Sequence, residues 1–296
     1  MLRRLSLLVL CTLFITTSAA AEHRVRGAQR VEFDSLDTKG GKPLRLFGWF
    51  FLAPNVTKAP VIIALHGCGG LYGRDGDFNR RHRAVAELLQ QQGYHVLFPD
   101  SFNPRGKEQI CTEKFGTRDI NSANRRRDVQ GALQWAARQS NVDSARIALL
   151  GWSHGGGTLL SANNQRTRGV EKFPIRPAAA IAFYPGCTAY ANARVGYRPN
   201  APLLLMIGEK DDWTPASSCI ALHDKVRKQY PQDVFELRVY PDSYHDFDAP
   251  NAPLRTRKDV PNGVHPGKGV TTGTNLAARE RAYKEMLDFL RQHFAA

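Results

Sequence analysis

One serine, one histidine and one of two adjacent aspartates could together activate a hydroxyl for attack on a carbonyl. Ser153 lies in Gly151-Trp152-Ser153-His154-Gly155-Gly156, after the run Arg146-Ile147-Ala148-Leu149-Leu150 and before Thr158-Leu159-Leu160-Ser161-Ala162. That order predicts strand, tight turn and helix. In this context G-x-S-x-G is a nucleophile elbow: its glycines permit the sharp turn, and the serine hydroxyl is held out over a sheet edge. The helix behind it offers free N–H groups and a partial positive charge, both suited to a developing oxyanion. The plain alternative is a glycine-rich strand–helix turn with an idle serine.

A serine hydroxyl needs a base, and the base needs an acid to orient it. The expected chain order is serine, acid, histidine. Gly208-Glu209-Lys210-Asp211-Asp212-Trp213-Thr214-Pro215 follows the next-but-one strand after the elbow. Asp211 is the preferred acid and Asp212 the alternative; a helix cap ahead of Pro215 is the structural explanation for either. Tyr240-Pro241-Asp242-Ser243-Tyr244-His245-Asp246-Phe247 follows the last strand and makes His245 the base. His265, in the same long segment, is its one serious rival. His154 adjoins Ser153, but neighbouring helix residues point apart, so it is expected to line the elbow. Two backbone N–H groups should hold the oxyanion: that of His154, and that of Cys68 in His66-Gly67-Cys68-Gly69-Gly70. Phe102, Trp152, Tyr184 and Trp213 fall at strand ends or elbows and are candidates for lining a substrate pocket, with a core role the equal alternative.

Such residues need a sheet to position them. Residues 31–35 and 44–52 predict an opening antiparallel pair. Continuous apolar strands are predicted at 60–65, 94–99, 146–150, 177–184, 202–208 and 234–240. Helices are predicted at 78–92, with Ala84, Val85, Leu88 and Leu89 on one face, and at 124–139, with Val129, Leu133, Trp135 and Ala136 apolar. Further helices follow the elbow and at 215–230 and 275–293. Residues 101–120 and 241–274 predict irregular segments, the first long enough to be functional. Strands alternating with helices predict an α/β fold: a mostly parallel, eight-stranded-type sheet covered on both faces, in a single domain over 22–296.

Residues 1–21 stand apart. Met1-Leu2-Arg3-Arg4 is basic, the following stretch is apolar, and Thr16-Thr17-Ser18-Ala19-Ala20-Ala21 is small. This predicts a signal peptide; the apolar run is short for a membrane anchor, the alternative. Its removal takes Cys11 and leaves Cys68, Cys111, Cys187 and Cys219. An even number in an exported chain suggests disulfides. Chain order favours Cys68–Cys111 and Cys187–Cys219, with the other connectivities open. The net charge of +14 could suit an anionic surface or an acidic substrate. Yet Arg80-Arg81-His82-Arg83, Arg125-Arg126-Arg127 and the pair Arg166 and Arg168 are scattered and lack interleaved aromatics. They are expected to be solvated faces rather than a nucleic-acid groove. The histidines and cysteines lack metal-ligand spacing and no glycine-rich phosphate loop follows the first strand, so neither a metal nor a cofactor is expected.

Taken together, the chain resembles the α/β-hydrolase superfamily and, within it, the dienelactone hydrolase family. The carrying stretches are His66-Gly67-Cys68-Gly69-Gly70, Asp100-Ser101-Phe102 with Pro104-Arg105-Gly106, Gly151 to Gly156, Gly208-Glu209-Lys210-Asp211 and His245-Asp246-Phe247-Asp248. The resemblance runs from about Leu44 to the C-terminus and implies a Ser153, Asp211, His245 triad. The family's namesakes use a cysteine where Ser153 stands, and they are cytosolic. These departures favour a periplasmic or secreted serine hydrolase of small-molecule esters or lactones over a dienelactone enzyme. A prolyl-oligopeptidase-like peptidase or amidase and a non-catalytic binding protein are the competing readings. No nucleic acid and no membrane span after leader removal are expected, and the chain is expected to be a monomer or a weak homo-oligomer.

Overall fold

The computed structural model describes residues 25–295. The expected leader, 1–21, lies outside the described residues.

Strands buried at every position need a layer of structure on both faces. Ala59–Leu65 (β3), His95–Pro99 (β4), Ala179–Phe183 (β6) and Leu203–Gly208 (β7) are such strands, with every residue buried. They pair in parallel with one another and with Val142–Trp152 (β5) and Phe235–Tyr240 (β8). Gln29–Lys39 (β1) and Lys42–Phe51 (β2) form the antiparallel opening, and β2 joins β4 antiparallel. The resulting eight-stranded sheet has the order β1-β2-β4-β3-β5-β6-β7-β8. Its parallel strands end where the candidate chemistry sits: 66–70 after β3, Ser153 after β5, Asp211 after β7 and His245 after β8.

The helices are Arg80–Gln91 (α1), Ser122–Ala137 (α2), His154–Ala162 (α3), Thr188–Ala191 (α4), Ala216–Gln229 (α5) and Leu276–Phe294 (α6). Asparagine starts three of them. The side chains of Asn79, Asn121 and Asn275 accept from free N–H groups of the first turn, the usual remedy for unpaired helix ends.

Several expectations change. The buried face of α1 is His82, Val85, Ala86 and Leu89 rather than one centred on Ala84 and Leu88. In α2, Arg125 and Asp128 are buried beside Val129, Leu133 and Ala136. Residues 241–274 contain a small antiparallel pair, Arg255–Arg257 (β9) and Val270–Thr272 (β10), each too short to show a period. A short 3-10 turn, Asn103–Arg105, lies within 101–120.

Cysteines tie loops to these elements. Cys68 is bonded to Cys111, joining the loop after β3 to the 101–120 excursion. Cys187, just before α4, is bonded to Cys219, which lies inside α5 rather than in a neighbouring loop. A second apolar cluster under the site holds the Cys68–Cys111 pair with Phe102, Ile110, Trp213 and Val270. Among the described residues, no helix is long and apolar enough to cross a membrane.

Candidate active site

The elbow is built by two glycines and one strained serine. A Cβ on Gly155 would lie 2.1 Å from the Leu65 carbonyl oxygen, and one on Gly151 would lie 2.6 Å from that of Gly155. Only glycine lets α3 approach β3 and β5 this closely. Ser153 has φ 52° and ψ −116°, a conformation that L side chains rarely adopt. Its N–H donates to the Phe183 carbonyl at 2.9 Å, and its carbonyl accepts from Gly157 N–H at 2.8 Å, so the strain is held from both sides.

His245 Nδ1 sits 2.8 Å from Asp211 Oδ2. Asp211 is itself fixed: Oδ1 accepts from the Trp213 and Thr214 amides at 2.9 and 2.8 Å, and Oδ2 accepts from Thr214 Oγ1 at 3.1 Å. The imidazole lies between the rings of Tyr184 and Trp213, with centroids 4.5 and 4.6 Å away. Its Nε2 is buried and has no hydrogen-bond partner. Ser153 and His245 line one cleft of about 160 Å³. With Nδ1–H donating to Asp211, the hydrogen-bond pattern assigns the tautomer whose Nε2 lone pair is free to accept a proton. Burial disfavours the imidazolium, but the charge and hydrogen bond of Asp211 outweigh it, and His245 titrates above its ordinary value.

The rivals fall elsewhere. Asp212 turns its carboxylate to Thr271, accepting from its amide at 2.7 Å and its hydroxyl at 2.8 Å, and so anchors β10. Neither aspartate caps α5, whose cap is Pro215 without a side-chain bond. His265 is exposed on the surface.

Among the described residues, the Cys68 and His154 amides have no hydrogen-bond partner. Both residues flank Ser153 in the cavities. Arg125 was not anticipated here. Its buried guanidinium donates to the His66 carbonyl and to His154 Nδ1, each at 2.8 Å, and lies 5.1 Å from the Phe102 ring centroid. Burial brings its pKa down to about 9. The His154 ring is buried and titrates well below its ordinary value, from burial first and then Arg125. It is neutral and already an acceptor at Nδ1.

Of the four aromatic pocket candidates, only Trp213 lines the cavities at Ser153. Phe102, Trp152 and Tyr184 are fully buried. Trp152 Nε1 and Tyr184 OH both donate to the buried Asp248 carboxylate, so these rings support the site from beneath. On the open side of Ser153 lies a larger cavity of about 660 Å³, lined by Phe115, Ile120, Ala189, Trp213 and Pro215.

This arrangement can be set against known proteins. A model of the dienelactone hydrolase family matches residues 47–294. The chain belongs to the dienelactone hydrolase family. It is therefore a carboxylic-ester hydrolase by membership, on an α/β-hydrolase fold. Three solved structures show the same fold. Esterase 2 of Thermogutta terrifontis has 14% identity and a TM-score of 0.60, covering 90% of this chain and 92% of its own. A dienelactone hydrolase-like promiscuous phosphotriesterase from metagenomic libraries has 19% identity and a TM-score of 0.60, over 90% and 98%. A Klebsiella pneumoniae protein described as a dienelactone hydrolase has 17% identity and a TM-score of 0.60, over 89% and 99%. Identities this low speak to fold alone. Comparison with curated protein sequences gave no match.

Proposed function

We propose that this family member is an exported serine hydrolase that cleaves small carboxylic esters or lactones through an acyl-enzyme on Ser153. His245 Nε2 takes the hydroxyl proton as Ser153 Oγ attacks the carbonyl carbon. The Cys68 and His154 amides receive the oxyanion, Asp211 holds the imidazolium, and His245 returns the proton to the leaving alkoxide. Water, activated by the same base, then releases the acid. The observation that carries this reading is the split role of His245. One ring nitrogen is held by a carboxylate, and the other is unpartnered in the cleft shared with Ser153. Serine in place of the namesakes' cysteine argues for general esters rather than dienelactones. Two bonded cysteine pairs suit an oxidising compartment such as the periplasm.

Esterase 2 of Thermogutta terrifontis is phosphorylated by paraoxon. The same reagent is expected to modify this chain at Ser153, read by peptide mass spectrometry. Ser153→Ala should lose labelling and several orders of magnitude in turnover of 4-nitrophenyl butyrate, with its melting temperature kept. Turnover that survives Ser153→Ala would falsify the mechanism.

A further inference from the structure

The basic run Arg80-Arg81-His82-Arg83 is only in part a solvated helix face: Arg80 is exposed and Arg83 half-buried. His82 is buried and Arg81 nearly so. The run opens α1, whose first turn holds no acidic residue. A helix N-terminus carries partial positive charge and disfavours cations, so arginines there work against local electrostatics. More arginines converge on the same place: Arg26 from ahead of β1, Arg74 from the loop after β3, and Arg255 and Arg257 from β9.

Together they line a trough. Two cavities of about 760 and 420 Å³ share Arg74, Asn79 and Arg255. The larger meets the Ser153–His245 cleft at Asn79 and Arg81, and the smaller meets it at Asn79 and Arg257. Seven arginines and four aspartates line the three spaces, with no lysine and no glutamate. Arg81 is paired with Asp246 and Asp248, and Arg257 with Asp259. Arg26, Arg80, Arg83 and Arg255 reach no acid among the described residues. Asp75 and Asp77 line the same cavity, so arginines outnumber acids without cancelling them, and guanidinium forks match carboxylate and phosphate oxygens. One small anion would occupy one fork; a trough of this extent accommodates several.

We infer that the trough holds the polar part of an oligoanionic ester, one carrying two or more carboxylate or phosphate groups. The scissile carbonyl lies at Ser153 and the apolar part in the 660 Å³ cavity beyond it. The substrate role rests on the serine-hydrolase reading; anion binding does not.

The test measures both on the full mature chain. Fluorescein-labelled hexaglutamate is titrated by anisotropy at about physiological salt, where exposed charges are screened beyond about 8 Å, and inositol hexakisphosphate serves as the phosphate competitor. Binding should occur, and Arg80→Gln with Arg255→Gln should weaken it roughly tenfold or more. Arg168→Gln with Arg194→Gln removes the same charge away from the trough and should leave binding unchanged. Melting temperatures verify that both double variants fold. Hydrolysis of neutral 4-nitrophenyl butyrate should be unaltered by Arg168→Gln with Arg194→Gln but inhibited by hexaglutamate. A butyryl ester of a tricarboxylated phenol should outpace the neutral ester, and lose that advantage in the Arg80, Arg255 variant. Equal weakening in both double variants means a net-charge effect and overturns the site. Binding without inhibition, or no advantage for the anionic ester, overturns the substrate role. If no ester is turned over while binding still depends on Arg80 and Arg255, the hydrolase reading fails and the anion site stands.

Discussion

Arg125 places a buried guanidinium 2.8 Å from the His66 carbonyl and 2.8 Å from His154 Nδ1. The first contact fixes the start of the loop whose Cys68 lines the cleft. The second fixes the residue that follows Ser153. One side chain therefore sets the spacing of both proposed oxyanion donors. Arg125→Met should leave the carbonyl and the ring nitrogen unpaired, at about 1–3 kcal/mol of stability each. In catalysis it should lower kcat on 4-nitrophenyl butyrate by about tenfold to a hundredfold, less than outright loss of an oxyanion donor, with KM little changed. A KM increase at constant kcat would mean that Arg125 shapes the pocket instead. Arg125 was expected on a solvated face because the arginine runs are scattered and lack interleaved aromatics. The contrary signal was present: Arg125 stands four and eight residues before Val129 and Leu133, on the buried stripe of α2. The placement of Ser153 after β5 and His245 after β8 was legible for the opposite reason, since the turn glycines and the strand order constrain their surroundings. Asp211 and Asp212 differ by one position and part only in three dimensions, one to His245 and the other to Thr271.

At the scale of elements, the Cys68–Cys111 bridge is both a staple and a mount. It closes a sequence separation of 43 residues and ties the 66–70 loop to the 101–120 excursion, where Ile110 N–H also donates to the Cys68 carbonyl at 2.8 Å. Loop-closure entropy sets an upper value of about 4 kcal/mol for such a bridge, and the Cys187–Cys219 bridge, separated by 32 residues, has a similar one. Their effects on catalysis should diverge. Cys68→Ser with Cys111→Ser should lower both melting temperature and kcat, because it frees the loop that carries a proposed oxyanion donor. Cys187→Ser with Cys219→Ser should lower melting temperature and leave kcat on a small ester nearly intact. Equal kcat in the two pairs would mean that hydrogen bonds alone hold the 66–70 loop. The parallel strands were legible because burial on both faces demands unbroken apolar runs. The aromatic candidates were not, because position at a strand end does not say which way a ring turns. Phe102, Trp152 and Tyr184 turned inward, and Asp248, though inside the His245-Asp246-Phe247-Asp248 stretch, gives no sign there that it ties Trp152 to Tyr184.

Across the whole molecule, buried histidines set how stability and activity respond to acid. His66, His82 and His154 are held below their ordinary value, chiefly by burial, His82 down to about 3. In the unfolded chain they return to about 6.5. Their contribution to stability is complete above that pH. It is lost as pH falls from there toward their folded values, because the unfolded state takes up protons that the folded state refuses. His245 has the opposite sign. Its folded value is raised, so its pairing with Asp211 stabilises fully below 6.5 and that gain fades as pH rises through the folded value. The proposed mechanism, however, needs His245 neutral, so the acidic limb of kcat/KM should lie above 6.5, the ordinary histidine value. Activity and fold should then fail in sequence. Between about pH 9 and pH 5, kcat/KM on a neutral ester should decline first, while the melting temperature holds or rises slightly as the His245–Asp211 pairing gains strength. Only below about 6.5 should the melting temperature begin to fall. A melting curve that drifts down in step with kcat/KM above that pH would mean that acid disables the enzyme by loosening its core, not by protonating its base.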